Sequence, residues 1–229
     1  MTDAEYGRLK LDMRGVNRGA RLYMGISGGL DSSYMAWRLL KRGHPILFHH
    51  CRYRTSQQRF PHEAEAHKNV LEWLTDQGLT DWKLIETEFS ASGSMTYPLL
   101  DDQYLLWMAG LHLRIHKRRG NTSRADISHV VINSRQESLD RHGAIYQRMY
   151  RIMSLAAERE IVPIFPMERY TKEQMMADMP RELIELSWWC RAPVDGQPCN
   201  DCHSCRSAAR GLAACSWWVE EQHNGENYD

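Results

Sequence analysis

The glycine-rich segment SGGLDSS, residues 27–33, is the feature that most constrains the fold of this chain. It follows the apolar run 22–26 (LYMGI), which is typical of a buried strand, and it precedes a helical pattern from about Ser32 to Arg42. Two adjacent glycines let a backbone turn tightly and approach a ligand closely. The segment therefore predicts a loop that joins the first strand of a sheet to the first helix.

Strand and helix patterns alternate along the rest of the chain. Further strands are predicted at 45–49, 83–85, 129–133 and 162–165, and further helices at 62–77, 101–118 and 144–158. Strands that alternate with helices predict an α/β fold with a parallel five-stranded sheet and helices on both faces. Ligands of such sheets bind at the carboxyl ends of the strands, where the strand order reverses.

The chemistry of the loop indicates a phosphate site. Its successive backbone amides and the N-terminus of the following helix direct partial positive charge into the same space. The carboxylate of Asp31 either caps the helix or helps to hold a magnesium ion that arrives with a polyphosphate. A simple glycine turn with a serine cap is the alternative. The predicted contacts to a nucleotide are Ser27, Gly28, Gly29, Asp31, Ser32 and Ser33.

Four of the six cysteines crowd into one C-terminal segment, at positions Cys190, Cys199, Cys202 and Cys205. Four thiolates at this spacing predict a tetrahedral zinc site, with an iron–sulfur cluster as the alternative. His203 lies between two of the cysteines and is expected to face solvent. Cys51 and Cys215 have no matching partners and are expected to be ordinary buried thiols.

Charge and hydropathy narrow the partners. Lysine and arginine equal aspartate and glutamate at 29 each, so no net field attracts nucleic acid or an anionic membrane. No apolar run approaches the roughly 20 residues that span a bilayer, and the first residues are too polar for a secretory signal. We therefore expect a cytoplasmic protein without a membrane partner.

Residues 27–32 (SGGLDS) resemble the signature loop of the N-type ATP pyrophosphatases, the PP-loop superfamily. This resemblance implies an adenine nucleotide alpha hydrolase-like fold and an enzyme that binds ATP and Mg²⁺. Such enzymes adenylate a carbonyl or carboxylate oxygen, release pyrophosphate, and let a nitrogen or sulfur nucleophile displace AMP.

The loop together with the cysteine spacing is similar to the 7-cyano-7-deazaguanine synthase family, commonly called QueC, roughly from Arg21 to Leu212. The resemblance implies an ATP-dependent ligase that forms carbon–nitrogen bonds on 7-carboxy-7-deazaguanine. In that family ammonia gives the amide, and a second activation gives the nitrile. The resemblance also implies a homodimer. The zinc is expected to be structural, because four cysteine ligands leave no open coordination position.

The segment 166–175 (PMERYTKEQM) resembles a family segment that follows the fifth strand. It places Lys172 where a lysine near the nucleotide phosphates is expected, so Asp31 and Lys172 are the candidate catalytic residues. Alternatively, Lys172 is an exposed residue in the first turn of a helix that Thr171 caps.

Two segments depart from the family pattern. Residues 97–102 (YPLLDD) replace a proline-glycine-arginine-asparagine turn, and residues 134–141 (SRQESLDR) replace an acidic stretch that helps to shape the base pocket. The charged residues of the second segment either take part in substrate choice or form a solvated loop. Two further functions thus stay open: ligation of a deazaguanine acid to a protein or other amine in anti-phage defence, and sulfur transfer to tRNA.

The chain divides into four parts on this interpretation. An N-terminal arm or helix covers 1–20, an ATP-binding α/β domain 21–185, a four-cysteine zinc lobe 186–215 and a polar tail 216–229. The tryptophan pairs at 188–189 and 217–218 are expected to pack the core of the lobe or a subunit interface.

Overall fold

The computed structural model of the chain describes residues 9–54, 60–90, 101–118, 127–135 and 148–218. Its strands and helices, in chain order, are β1 (Leu22–Gly25), α1 (Leu30–Lys41), β2 (Ile46–Arg54), α2 (Phe60–Asp76), β3 (Trp82–Ser90), α3 (Asp101–Arg118), β4 (His129–Val131), α4 (148–157), β5 (Val162–Ile164), α5 (Lys172–Ala177), α6 (Arg181–Glu185) and α7 (His203–Ala213). The five predicted strands are present, and β2 and β3 extend further toward their carboxyl ends than the sequence patterns indicate. Of the segments that depart from the family pattern, residues 97–100 and 136–141 lie outside the described residues.

The five strands form one parallel sheet in the order β3-β2-β1-β4-β5. Met24 in the central strand β1 lies opposite Phe48 of β2 on one side and Val131 of β4 on the other. The chain first builds β2 and β3 on one side of β1 and then crosses to the other side for β4 and β5. The strand order therefore reverses between β1 and β4, where parallel sheets bind their ligands.

Each face of the sheet carries its own hydrophobic core. Alternate residues of a strand point to opposite faces, so Met24 and Phe48 pack with α1 and α2, whereas Tyr23 and Leu47 pack with α3 and α4. Burial on both faces explains why β1 and β2 read as continuous apolar runs. The predicted architecture, a five-stranded parallel sheet with helices on both faces, is confirmed.

A buried ion pair joins α1 to the end of α5. The Arg38 guanidinium pairs with the Asp178 carboxylate, and both side chains are 6% exposed. Tyr34 donates its hydroxyl hydrogen to the same carboxylate at 2.6 Å, and Arg38 also donates to the backbone carbonyl of Leu9. This network ties the N-terminal segment to the sheet domain. The described part of that segment, residues 9–20, contains no helix.

None of the described helices is both long enough and apolar enough to cross a membrane.

We predict that Asp178→Ala lowers the free energy of unfolding by about 3–5 kcal/mol, because it leaves the Arg38 charge buried without its carboxylate. Chemical denaturation measures this loss. Glu185→Ala is the matched control, since Glu185 forms an exposed ion pair with Arg181 at 2.7 Å and its removal should cost less than about 1 kcal/mol. Equal losses in the two variants would contradict the prediction.

Candidate functional site

A cavity of about 290 Å³ opens at the carboxyl ends of β1 and β4, where the strand order reverses. The loop that follows β1 forms its floor. Residues of β2, residues that follow β4 and the first residue of α5 line its sides, together with residues of the C-terminal cysteine lobe. The polar or charged residues that line it include Ser27, Asp31, Ser32, His49, Cys51, Glu63, Asn133, Ser134, Arg135, Lys172, Arg191, His203, Ser204 and Ser207.

Gly28 makes the loop possible. Its φ angle is +75°, in the left-handed region that side-chain-bearing residues rarely adopt. A Cβ atom built on Gly28 would lie 2.4 Å from the backbone nitrogen of His67 in α2. The loop can therefore pack directly on the backbone of α2 only with glycine at this position.

Hydrogen bonds within the loop fix the serine hydroxyls. Ser32 donates its hydroxyl hydrogen to the Gly29 carbonyl at 3.0 Å, and the Ser27 hydroxyl oxygen accepts from the Gly29 N–H at 3.2 Å. Gly29 is the N-cap of α1 and supplies no side-chain cap. The first-turn amides of α1 are thus left without side-chain capping, as an anion site at a helix N-terminus requires.

Asp31 lies inside the first turn of α1 and does not cap it, so its predicted alternative role as a cap is wrong. Its carboxylate instead accepts hydrogen bonds from Arg135 Nε at 2.8 Å and from Lys172 Nζ at 3.1 Å. Burial opposes ionisation of Asp31, but the two cations outweigh it and lower the pKa of the carboxyl group. The side chains of Lys172 and Arg135 are only 6% and 9% exposed.

Lys172 is consequently a buried residue of the cavity wall and not an exposed residue of a helical turn. Thr171 caps α5 as predicted, in a capping box with Gln174. Arg135 belongs to the cavity rather than to a solvated loop, whereas its charged neighbours Glu137, Asp140 and Arg141 lie outside the described residues.

Four of the six predicted loop contacts, Ser27, Gly29, Asp31 and Ser32, line the cavity. Gly28 contacts α2 instead, as its role in the turn requires. Ser33 is fully buried, does not line the cavity, and its hydroxyl has no hydrogen-bond partner among the described residues. The helical rotation of about 100° between consecutive residues turns Ser33 away from the side that Ser32 faces.

The strand β2 contributes residues to the cavity that the sequence patterns did not indicate. His49 and Cys51 line the cavity because they are two residues apart on one strand and so share a face. His49 accepts or donates hydrogen bonds at both ring nitrogens, with the Tyr23 hydroxyl at 2.8 Å and the Thr87 hydroxyl at 2.7 Å. Burial lowers the pKa of His49 to about 3, so the ring is neutral at physiological pH. The available signal was their position at and just after the end of the apolar run that predicts this strand.

The four C-terminal cysteines converge. Their sulfur atoms all lie within 4.8 Å of one another, and this group could hold a metal ion. Cys190 and Cys199 Sγ are 3.6 Å apart, and Cys199 and Cys205 Sγ are 3.9 Å apart. His203 is exposed and stands outside the group, as expected. Cys215 is a buried thiol.

The sulfur geometry fits a single tetrahedral ion. Zinc–sulfur bonds of about 2.3 Å in a tetrahedron separate the sulfur atoms by about 3.8 Å, whereas a cluster with several irons requires wider spacing because its cysteines bind different iron atoms. Backbone N–H groups of Cys199, Cys202 and Cys205 donate to the sulfur atoms at 3.2–3.4 Å. Burial raises the pKa of Cys202, but backbone donors, chiefly the N–H of Arg191, outweigh it and bring the pKa to about 6.

No protein-family model and no curated protein matches this sequence. Among solved structures, the chain is similar to "U34-tRNA thiolase NcsA from Methanococcus maripaludis with its [4Fe-4S] cluster", with a TM-score of 0.51 and 14% identity over 97% of this chain and 73% of that one. The NMN synthetase from Francisella tularensis gives a TM-score of 0.44 and 14% identity over 93% and 88% of the two chains. The fold is adenine nucleotide alpha hydrolase-like, as predicted.

We predict that Gly28→Ala lowers the free energy of unfolding by about 4 kcal/mol or more. The new methyl group would clash with the α2 backbone, and alanine would also have to adopt an unfavourable positive φ angle. Gly43→Ala is the matched control: Gly43 has φ +77° and nothing within 4 Å of its built Cβ, so only the backbone penalty of about 1–2 kcal/mol applies. Urea denaturation of both variants measures the difference. Similar losses would show that the contact with α2 is unimportant.

The stability of the fold should depend on pH through two buried histidines. Burial lowers the pKa of His49 to about 3 and of His50 to about 4, from an ordinary value of 6.5. At a pH between the folded-state pKa and 6.5, each of these histidines binds a proton in the unfolded chain but not in the folded chain. The free energy of unfolding therefore falls as the pH drops below about 6.5, and it levels off near the folded-state pKa values. From pH 7 to pH 5 we expect a loss of about 2 kcal/mol per histidine.

Urea denaturation across this pH range tests the dependence. His50→Gln removes one of the titrating histidines and should reduce the loss by about 2 kcal/mol, which is its share in the linkage argument. An unchanged pH dependence in this variant would rule out His50 as a source.

Proposed function

We propose that this chain is a PP-loop enzyme that uses ATP to adenylate a carboxylate and transfers the acyl group to a nitrogen nucleophile. The observation that carries the proposal is the meeting of the glycine loop, Asp31, Lys172 and Arg135 in one cavity at the switch point of the sheet. The fold and the sequence of the loop support the same activity.

The charges of the cavity suit a triphosphate. Loop amides and the N-terminus of α1 would bind the β- and γ-phosphates, while Lys172 and Arg135 supply two positive charges beside them. Mg²⁺ bound by the phosphates would neutralise part of their charge, and the Asp31 carboxylate is the residue of this site that suits it. This arrangement leaves the α-phosphorus open to attack.

The proposed reaction has two steps. A carboxylate oxygen of the substrate attacks the α-phosphorus, and the bond between that phosphorus and the bridging oxygen breaks, so pyrophosphate leaves. Ammonia then attacks the acyl carbon, the acyl–oxygen bond breaks, and AMP and a proton are released. The fixed cations lower the first barrier, because they stabilise the charge that develops on the departing pyrophosphate.

The substrate that we propose is 7-carboxy-7-deazaguanine, on the strength of the sequence resemblance. The lining of the cavity supports this proposal, because Arg191 and His203 lie in the same wall as the aromatic residues Trp188 and Trp189, which suits a planar anion. Ammonia is the proposed acceptor, the amide the first product and the nitrile the product of a second activation. An amine of a protein or another molecule is the alternative acceptor.

The metal that we propose for the cysteine lobe is zinc in a structural role. Four sulfur ligands would complete its coordination and leave no position for a substrate. The resemblance also implies a homodimer, which analytical ultracentrifugation can test.

Sulfur transfer to tRNA is the second candidate function. The observation that favours it is the position of Cys51, which carries a thiol and lines the same cavity as the glycine loop. Cys51→Ser separates the two functions, because the variant should keep amide formation and lose any thiolation.

The test of the proposed function is pyrophosphate release from Mg–ATP with 7-carboxy-7-deazaguanine and ammonium, together with the mass of the product. We predict that Lys172→Ala lowers the rate about 100-fold, since it removes a fixed positive charge from the phosphate site. Lys68→Ala is the matched control, because the Lys68 side chain is 71% exposed on α2, and its rate should equal that of the wild type.

The outcomes distinguish the candidates. An amide or nitrile product supports the proposed reaction, and an acyl adenylate that accumulates with ammonium present redirects the search to another amine. Binding of ATP without pyrophosphate release would contradict the deazaguanine substrate, and equal rates in the Lys172 and Lys68 variants would contradict the phosphate site.

A further inference from the structure

Trp188 contacts both the phosphate loop and the cysteine cluster. Its backbone N–H donates to the Gly28 carbonyl at 2.9 Å. Its indole Nε1–H donates to the backbone carbonyl of Cys190, one of the four converging cysteines, at 2.7 Å. One residue therefore links the turn of the loop to the first cysteine of the cluster.

Further contacts hold Trp188 in this position. Its indole ring stacks on the imidazole of His62 in α2, with ring centroids 4.3 Å apart and planes 14° from parallel. Its carbonyl oxygen lies 3.4 Å from a Cβ built on Gly29. The loop is thus enclosed between α2 and Trp188, and a shift of Trp188 would change the backbone conformation of the loop.

The helix of the lobe makes a second connection to the site. Cys202 is the N-cap of α7, and Cys205 lies in the first turn of that helix. Further along α7, a Cβ built on Gly211 would lie 3.4 Å from Lys172 Cγ, and Arg210 pairs with Glu173 of α5 at 3.2 Å. The cysteines therefore begin a helix that packs on the lysine of the phosphate site.

The lobe depends on its cysteines for its structure. The segment 191–202 contains no helix. Its one strand-like pairing is the isolated bridge between Val194 and Gln197. A bound ion would supply the folding free energy that so little secondary structure lacks. Loss of the ion would release both Trp188 and the start of α7.

We propose that Trp188 is a positioning residue that couples metal binding at the cysteine cluster to nucleotide binding at the loop. The inference rests on the proposed function, since it requires a nucleotide in the cavity. Coupling between two binding sites is reciprocal, so the metal strengthens nucleotide binding and the nucleotide strengthens metal binding by the same free energy. Slower metal release is the expected sign of the second effect.

The experiment measures metal release from the zinc-loaded full chain to a chelating dye, with and without Mg–ATP. We predict that saturating Mg–ATP slows release by about fivefold or more. Trp188→Phe keeps the backbone bond to Gly28 and an aromatic ring over His62, but loses the indole bond to Cys190. In this variant the effect of ATP should shrink by about twofold or more, since one hydrogen bond contributes a factor of that order.

Trp107→Phe is the matched control, because Trp107 is a half-exposed tryptophan on α3 that lies outside the cavity lining. It should keep the full effect of ATP. The starting metal content, measured for each protein, shows whether a variant has lost its lobe. The wild-type measurement tests the coupling even if the Trp188 variant does not fold.

Titration calorimetry of Mg–ATP with the zinc-loaded wild type separates the two proposals. If ATP binds and release is equally fast with and without it, the coupling is overturned and the nucleotide site stands. If ATP does not bind, both are overturned. If the Trp188 and Trp107 variants keep the same effect of ATP, Trp188 is not the positioning residue.

Discussion

The carboxylate of Asp31 joins three segments that are far apart in the sequence. It lies in the first turn of α1 and holds Arg135, which follows β4, and Lys172, which begins α5. Pairing with the carboxylate offsets part of the cost of burying each cation. The two positive side chains are therefore fixed beside the loop before any ligand arrives, and fixed charges need no reorganisation to stabilise an anion.

The features that sequence could predict are those that local patterns determine. The glycine loop and β1 follow from two glycines after a buried run, and the cysteine group follows from its spacing. The predicted extents of the strands were less accurate, because β2 and β3 continue through polar residues such as His50 and Glu86, where strand pairing rather than hydropathy keeps the backbone extended.

The residues that sequence could not assign depend on the order of the strands and on the docking of the lobe. Arg135 meets Asp31 only because β4 lies next to β1, and no local pattern gives that order. Cys51 enters the cavity because β2 lies on the other side of β1. Trp188 reads as a packing residue in the sequence, and only the position of the lobe against the loop reveals its bond to Gly28.

The loop that follows β1 and the other walls of the cavity differ in how much substitution they can tolerate. The loop that follows β1 is held on one side by α2 at Gly28 and on another by Trp188, so few substitutions there would be neutral. Arg135, by contrast, follows β4 and reaches the cavity from a segment that departs from the pattern of the family that the sequence resembles. A change in the ligand that the cavity accepts is therefore expected to arise in the walls of the cavity, at positions that no neighbouring backbone confines, before it arises in the loop.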